Sequence, residues 1–226
     1  MTRVSAAEGH RLWAPVYDSG VNPLRALERR AMRERVNSAG ATRVLDVACG
    51  TGEALFDFQQ SGPAVFGVDA CKEMLEEAVK FPSLRGHLVS GNAERLPFRT
   101  GCADLVVCSL ALGYFDDLDC VFAEFARVAA PGGSIAVSDV HPDALAAGWT
   151  RSFSSGAARF ELDHYCRSLA QIERSAAGTG LEDCALSEVS FAEPELPIFR
   201  SAGRDALFED LRKVPALFIA MWRKPC

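Results

Sequence analysis

Residues Val44–Leu55 read VLDVACGTGEAL: a hydrophobic run reaches Asp46, turns through Cys49-Gly50-Thr51-Gly52 and opens a helix-forming stretch at Glu53. Two glycines one residue apart let the backbone turn tightly and approach a ligand with no Cβ in the way. In a doubly wound sheet such a turn lies at the carboxyl end of a strand, where ligands bind. The next position of the pattern separates two chemistries. A dinucleotide fold places a third glycine three residues after the second, so that helix and strand pack closely near a pyrophosphate. Here that place is Leu55, which argues against NAD or FAD. No GxxxxGK[ST] stretch occurs, so a phosphate-cradling P-loop is excluded. The loop suits a nucleoside-like ligand without a pyrophosphate.

On either side of this loop, short apolar runs alternate with amphipathic stretches. The runs are Arg43–Val47, Ala64–Val68, His87–Val89, Asp104–Cys108 and Ser134–Val137. Being rich in Val and Leu, they suit strands buried on both faces. Between them, Glu53–Gln60, Lys72–Lys80 and Asp116–Ala129 read as helices, the last with Leu118, Val121, Phe122, Phe125 and Val128 on one face before Pro131-Gly132-Gly133 breaks it. This alternation predicts βαβ units and a parallel sheet. The first forty residues read as helical, with Asn22 capping a helix that has Pro23 at its first position. Its arginines (25, 29, 30, 33 and 35) read as a solvated face. After Val140 the pattern loosens, with a helix expected at Ser168–Ala177, another at Arg204–Lys213, and strands near Cys184–Phe191 and Ala216–Trp222.

The chain has 226 residues, 49% hydrophobic and 24% charged, with a net charge of −6. That is enough for one domain with a full core, and the mild acidity lacks the basic footprint of a nucleic-acid binder. The eight cysteines contain no CxxC pair, so structural zinc is not expected and no metal site is assigned. No secretory h-region and no apolar run long enough to span a bilayer is visible. Free thiols in a reducing cytoplasm are the expectation, with no membrane insertion.

Asp69 ends the second run, 19 residues past Gly50. A carboxylate there can accept both hydroxyls of a ribose, or cap the following helix. VLDVACGTGEAL, VFGVDACKEML, GNAERLPF, DLVVCSLALGYFDDL and VFAEFARVAAPGGSIAVSDV stand in the order and spacing of class I S-adenosylmethionine-dependent methyltransferases. The chain most resembles the small-molecule branch that includes the quinone C-methyltransferases. The resemblance covers residues 42–140 strongly, 10–40 loosely and 141–226 hardly at all.

The resemblance implies an α/β, doubly wound, Rossmann-like fold: a seven-stranded, mostly parallel sheet with one antiparallel strand. It implies one domain over residues 1–226: an N-terminal helical lid (1–40), a cofactor-binding core (42–140), a substrate-side insertion (141–180) and terminal strands (181–226). By similarity, Asp46 and the backbone of Ala48, Gly50 and Gly52 hold the methionine end of S-adenosylmethionine. Asp69 takes the ribose, Ala70, Asn92 and Ala93 meet the adenine, Ser109 and Leu110 line the sulfonium side, and Tyr17 closes over the cofactor. Asn92 stands where relatives usually carry Asp, and Ala48 where many carry Gly.

The implied function is methyl transfer to a small molecule, with oxygen the expected acceptor and S-adenosylhomocysteine the product. Transfer to carbon or nitrogen and cofactor binding without transfer are the alternatives. The fourth run ends in Ser109-Leu110-Ala111-Leu112 rather than the [DNS]PP[YFW] motif of amino-methylating enzymes, so nucleic acid is not an expected partner. His141, after the fifth run, is the candidate base or else a turn cap; His10 and His164 are weaker candidates. Trp13, Tyr114, Trp149 and Phe153, with Phe160, either wall a substrate chamber or pack the core, and Arg151 is a candidate contact for an acidic substrate group. A monomer or homodimer is expected.

Overall fold

The computed structural model describes residues 1–36 and 40–226; residues 37–39, which the expected N-terminal lid includes, lie outside the described residues. The chain opens with β1 (Thr2–Val4), α1 (Ala6–Trp13) and α2 (Pro23–Arg35). Then come β2 (Arg43–Val47), α3 (Glu53–Gln60), β3 (Ala64–Asp69), α4 (Lys72–Ala78), β4 (Leu88–Ser90), β5 (Ala103–Ser109), α5 (Leu118–Val128) and β6 (Ala129–Val140). The remainder is α6 (Pro142–Ala146), β7 (Ser152–Ser155), β8 (Ala158–Leu162), α7 (Leu169–Ala177), β9 (Glu182–Val189), α8 (Leu196–Ser201), α9 (Asp205–Leu211) and β10 (Leu217–Arg223).

Seven strands form one sheet in the order β4-β3-β2-β5-β6-β10-β9. β10 runs antiparallel to both β6 and β9, and the other pairings are parallel. The doubly wound sheet with one antiparallel strand is therefore present. Neighbouring residues of β2 serve opposite faces. Leu45 and Val47 join Val106, Val137 and the α5 residues Val121, Phe122 and Phe125, while Val44 joins Val107, Ala136 and the α2 residues Leu27 and Ala31. Burial on both faces is why these strands are continuously apolar rather than alternating.

Local chemistry sets the element ends. Asn22 Oδ1 accepts the N–H of Leu24 at 2.9 Å, capping α2 ahead of Pro23. Ser168 and Gln171 form a capping box at the start of α7. β6 is longer than the sequence suggests. Pro131-Gly132-Gly133 ends α5 but does not interrupt the extended chain, because Gly132 takes φ +72° and Gly133 has no room for a Cβ, which would lie 2.8 Å from the Ala130 carbonyl.

Two expectations are corrected. The first forty residues are not all helical: β1 pairs parallel with β8, Thr2 opposite Phe160, and β7 completes a second, three-stranded sheet. This sheet joins the start of the chain to residues 152–162. The arginines of α2 are not merely a solvated face. Arg25 reaches Glu53, Arg29 bridges Glu53 and Asp57, and Arg30 meets the buried Glu195 at 2.8 Å. Single exposed pairs contribute little, but this network, added to burial of Leu27 and Ala31, fixes α2 against α3 and the segment before α8.

Candidate functional site

A cavity of about 600 Å³ opens at the carboxyl ends of β2, β3 and β5. Its floor carries Ala48, Gly50, Asp69, Ala70, Asn92, Ala93, Ser109 and Leu110, all placed by the sequence reading; Tyr17 and Tyr114 border it from the turn after α1 and the loop after β5. Asp46 and Gly52 lie outside the lining. Gly52 caps α3 at φ +79° with Leu84 2.7 Å from where a Cβ would be. Leu55, at the place of a third glycine, is fully buried and fills the space over Gly67, whose missing Cβ would sit 2.5 Å from it. That packing takes the room a dinucleotide loop reserves for close helix approach.

Asp69 is held by two backbone donors: Gly50 N–H gives to Oδ2 and Cys71 N–H to Oδ1, each at 2.8 Å. The carboxylate thus ties the glycine loop to the start of α4 and keeps lone pairs for two further donors. Burial raises its pKa, and these backbone bonds pull it back down. Ala48 and Leu110 both take left-handed backbone, φ +58° and +55°, a conformation costly for residues with a Cβ. Both line the cavity. Asn92 Oδ1 accepts the N–H of Glu94 at 3.0 Å, so its carbonyl already serves the loop.

α1 supplies residues that sequence reasoning undervalued. Ala6, Ala7, His10 and Arg11 line the cavity. His10 Nδ1 lies 2.8 Å from the Ala6 carbonyl and its ring meets Tyr114 edge-on at 4.6 Å. A carbonyl accepts only, so Nδ1 carries the hydrogen and the neutral ring keeps its lone pair on Nε2. Burial lowers the His10 pKa, favouring that neutral form. A histidine one turn into an amphipathic helix carries no motif, so only the fold reveals its place.

Several candidates stand elsewhere. His141 is 3% exposed and caps α6, its Nδ1 accepting the Asp143 N–H at 3.1 Å, with Glu188 3.9 Å from Nε2; the structure does not bring it to the cavity. Trp149 stacks on Phe191 at 6.1 Å within the α2-side core. Trp13, Phe153 and Phe160 stack in series at 4.9 and 5.2 Å, welding α1 to the small sheet rather than lining the cavity. His164 faces the Leu162 carbonyl. Arg151 is not available to a substrate acid: it is buried, bonded to Asp139 at 2.5 Å and to the Leu110 carbonyl at 3.0 Å, with Tyr114 beneath it at 4.7 Å.

The donors and acceptors fit a nucleoside with a cationic amino-acid tail. Asp69 offers acceptors for ribose hydroxyls, and Asp46, behind the glycine loop, has a buried Oδ1 with no hydrogen-bond partner. Among the described residues no His/Cys/Asp/Glu cluster could hold a metal ion, and no helix is long and apolar enough to cross a membrane.

The comparisons agree. Residues 45–137 match the Methyltransferase domain family. The chain is 36% identical over 111 residues to a demethylmenaquinone methyltransferase of Mycolicibacterium gilvum, covering 49% of this chain and 47% of that one. It is 32% identical over 143 residues to a malonyl-[acyl-carrier protein] O-methyltransferase of a Methylovorus species, covering 56% and 48%. The chain thus spans under half the length of these curated relatives. An S-adenosylmethionine-dependent methyltransferase of Mesorhizobium loti shares the fold, with a TM-score of 0.68, 20% identity, and 90% of this chain and 100% of that one covered. By its motifs, its fold and the domain at residues 45–137, the chain belongs with the class I S-adenosylmethionine-dependent methyltransferases.

Proposed function

We propose that the protein transfers the methyl group of S-adenosylmethionine to an oxygen of a small-molecule acceptor, with residues 1–226 working as one unit. The observation that carries this reading is the Asp69 carboxylate, fixed by Gly50 and Cys71 at the floor of the cavity with acceptor capacity to spare. In this reading Asp69 takes the ribose hydroxyls, Ala70 with Asn92 and Ala93 borders the adenine, and the glycine loop with Asp46 receives the methionine tail. Ser109 and Leu110 flank the sulfur and Tyr17 covers it.

The bound cofactor supplies a methyl group already activated on a cationic sulfur. What remains for the protein is alignment of acceptor with methyl, a contribution of up to ~7–11 kcal/mol, and removal of a proton where the acceptor is a hydroxyl. His10 is the residue we assign to that proton, since it lines the cavity with Nε2 unprotonated. Tyr114 forms the wall between it and Arg151. The similarity to an O-methyltransferase supports oxygen. Carbon is the second reading, supported by the likeness to the demethylmenaquinone methyltransferase.

Incubating the protein with methyl-labelled S-adenosylmethionine and a lysate of the source organism, then separating products by size, tests the proposal. Base-labile label in the small-molecule fraction is expected for an oxygen ester. Label in protein or nucleic acid contradicts it, and stable small-molecule label favours carbon.

A further inference from the structure

Four carboxyl side chains are buried among the described residues: Glu28, Asp46, Asp139 and Glu195. Asp139 holds Arg151 and Glu195 holds Arg30. Glu28 and Asp46 lack such a cation. Glu28 projects from α2 onto the carboxyl ends of β5 and β6, where Ser138 Oγ donates to its Oε1 at 2.7 Å and the Ser109 hydroxyl lies alongside. Asp46, at the end of β2, presents its unpartnered Oδ1. The two are near enough that a charge on Glu28 repels one on Asp46. Ser109 also lines the cofactor cavity, so the pair lies directly behind its wall.

The surrounding groups do not neutralise the pair. From α2, Arg25 is engaged by Asp18 and Glu53, and Arg29 by Glu53 and Asp57. Asp69 on β3 adds a further like charge, while Tyr17, Cys49 and Cys108 are held neutral by burial. Buried charges in proteins are paired or neutralised, and two adjacent carboxyls without a cation cannot both ionise readily.

We propose that Glu28 and Asp46 form one receptor for a ligand ammonium group, holding one proton between them in the ligand-free protein and releasing it when the methionine tail enters. The charges balance: the pair goes from −1 to −2, the incoming ammonium contributes +1, and one proton passes to solvent. The inference rests on the cofactor reading above and adds Glu28, which lies outside every motif of the sequence. It makes affinity for amino-acid-bearing ligands rise with pH until the pair is ionised without them.

Calorimetry on the full chain tests this, with S-adenosylhomocysteine and 5′-methylthioadenosine as ligands. The second ligand keeps the nucleoside but lacks the amino acid. Titrations at about pH 6.5, where an α-amino group is already protonated, in two buffers of different ionisation enthalpy count the protons exchanged. Proton changes at Asp69 or His10 accompany both ligands and cancel in the difference. S-Adenosylhomocysteine is expected to release about one proton more per site than methylthioadenosine. Glu28→Gln, which can still accept from Ser138, is expected to shrink that difference and weaken S-adenosylhomocysteine about tenfold, with methylthioadenosine binding unchanged as proof of folding. Equal proton counts for the two ligands, or a Glu28→Gln protein that binds both as before, overturn the proposal. Failure of the unaltered protein to bind either ligand overturns the cofactor reading and this inference with it.

Discussion

Asp46 and Asp139 end two strands of one sheet, β2 and β6, with β5 between them, and each is 2% exposed. Around Asp139 the chain supplies every partner: Arg151 at 2.5 Å, and the N–H groups of Gly113 and Val140, each at 2.7 Å. Around Asp46 it supplies no cation and leaves Oδ1 unpartnered. One end of the sheet is closed by the protein itself, and what it fixes is the loop from Leu110 to Tyr114 that borders the cavity. The other end is left for a charge brought from outside. The comparison teaches that burial alone does not separate structural from ligand-binding acids; the presence of an internal cation does.

The largest expected effect breaks the closed end. Arg151→Met strands Asp139 as a buried, unpaired charge and should cost about 3–5 kcal/mol of stability, measured by urea unfolding. Replacing Asp139 with Leu in the same protein should recover most of that loss. A cost near zero for the single change would erase the difference between the two ends.

Asp46→Asn tests the open end and carries the opposite sign. Burial and the neighbouring Glu28 raise the Asp46 pKa, so the folded, ligand-free protein holds a proton that the unfolded chain gives up. Stability from this group is therefore present at acid pH and is lost as pH rises from the unfolded value of ~3.9 through the folded one. Removing the carboxyl should stabilise the ligand-free protein at neutral pH by at least about 1 kcal/mol, and flatten that decline. A loss of stability at pH 7 would mean that Asp46 is already satisfied within the chain.

His141 sharpens the comparison by the smallest effect. It follows β6 and caps α6, so His141→Ala should cost about 1 kcal/mol and leave the methyl-transfer rate unchanged. His10→Ala, at the cavity, should slow transfer about 10²-fold if a hydroxyl proton must be removed. Reversed rate effects would return the base to the end of β6.

The central βαβ units were legible because each strand is buried on both faces and so announces itself as a Val- and Leu-rich run, while Gly50, Gly52 and Asp69 bring a recognisable turn and acid to one edge. The small sheet was not. β1 has three residues, and its partner Phe160 lies more than 150 positions away from Thr2, so no local periodicity marks the pairing. Arg151 looked like a substrate contact because its partner Asp139 is separated from it by α6 and a turn. Glu28 was hidden among five arginines that read as a solvated face. Aromatic residues such as Trp149 and Phe153 carry the same apolar signal in a core as in a substrate chamber, and only the fold assigns them.

The account stands on the cavity being a nucleoside site governed by Asp69. Titrating S-adenosylhomocysteine into the unaltered protein and into Asp69→Ala by calorimetry tests this directly. One site is expected in the unaltered protein, with binding weakened by about 1–3 kcal/mol in the variant because ribose hydroxyls lose a charged acceptor. Absence of binding to the unaltered protein, or equal affinity for a folded Asp69→Ala, would contradict it.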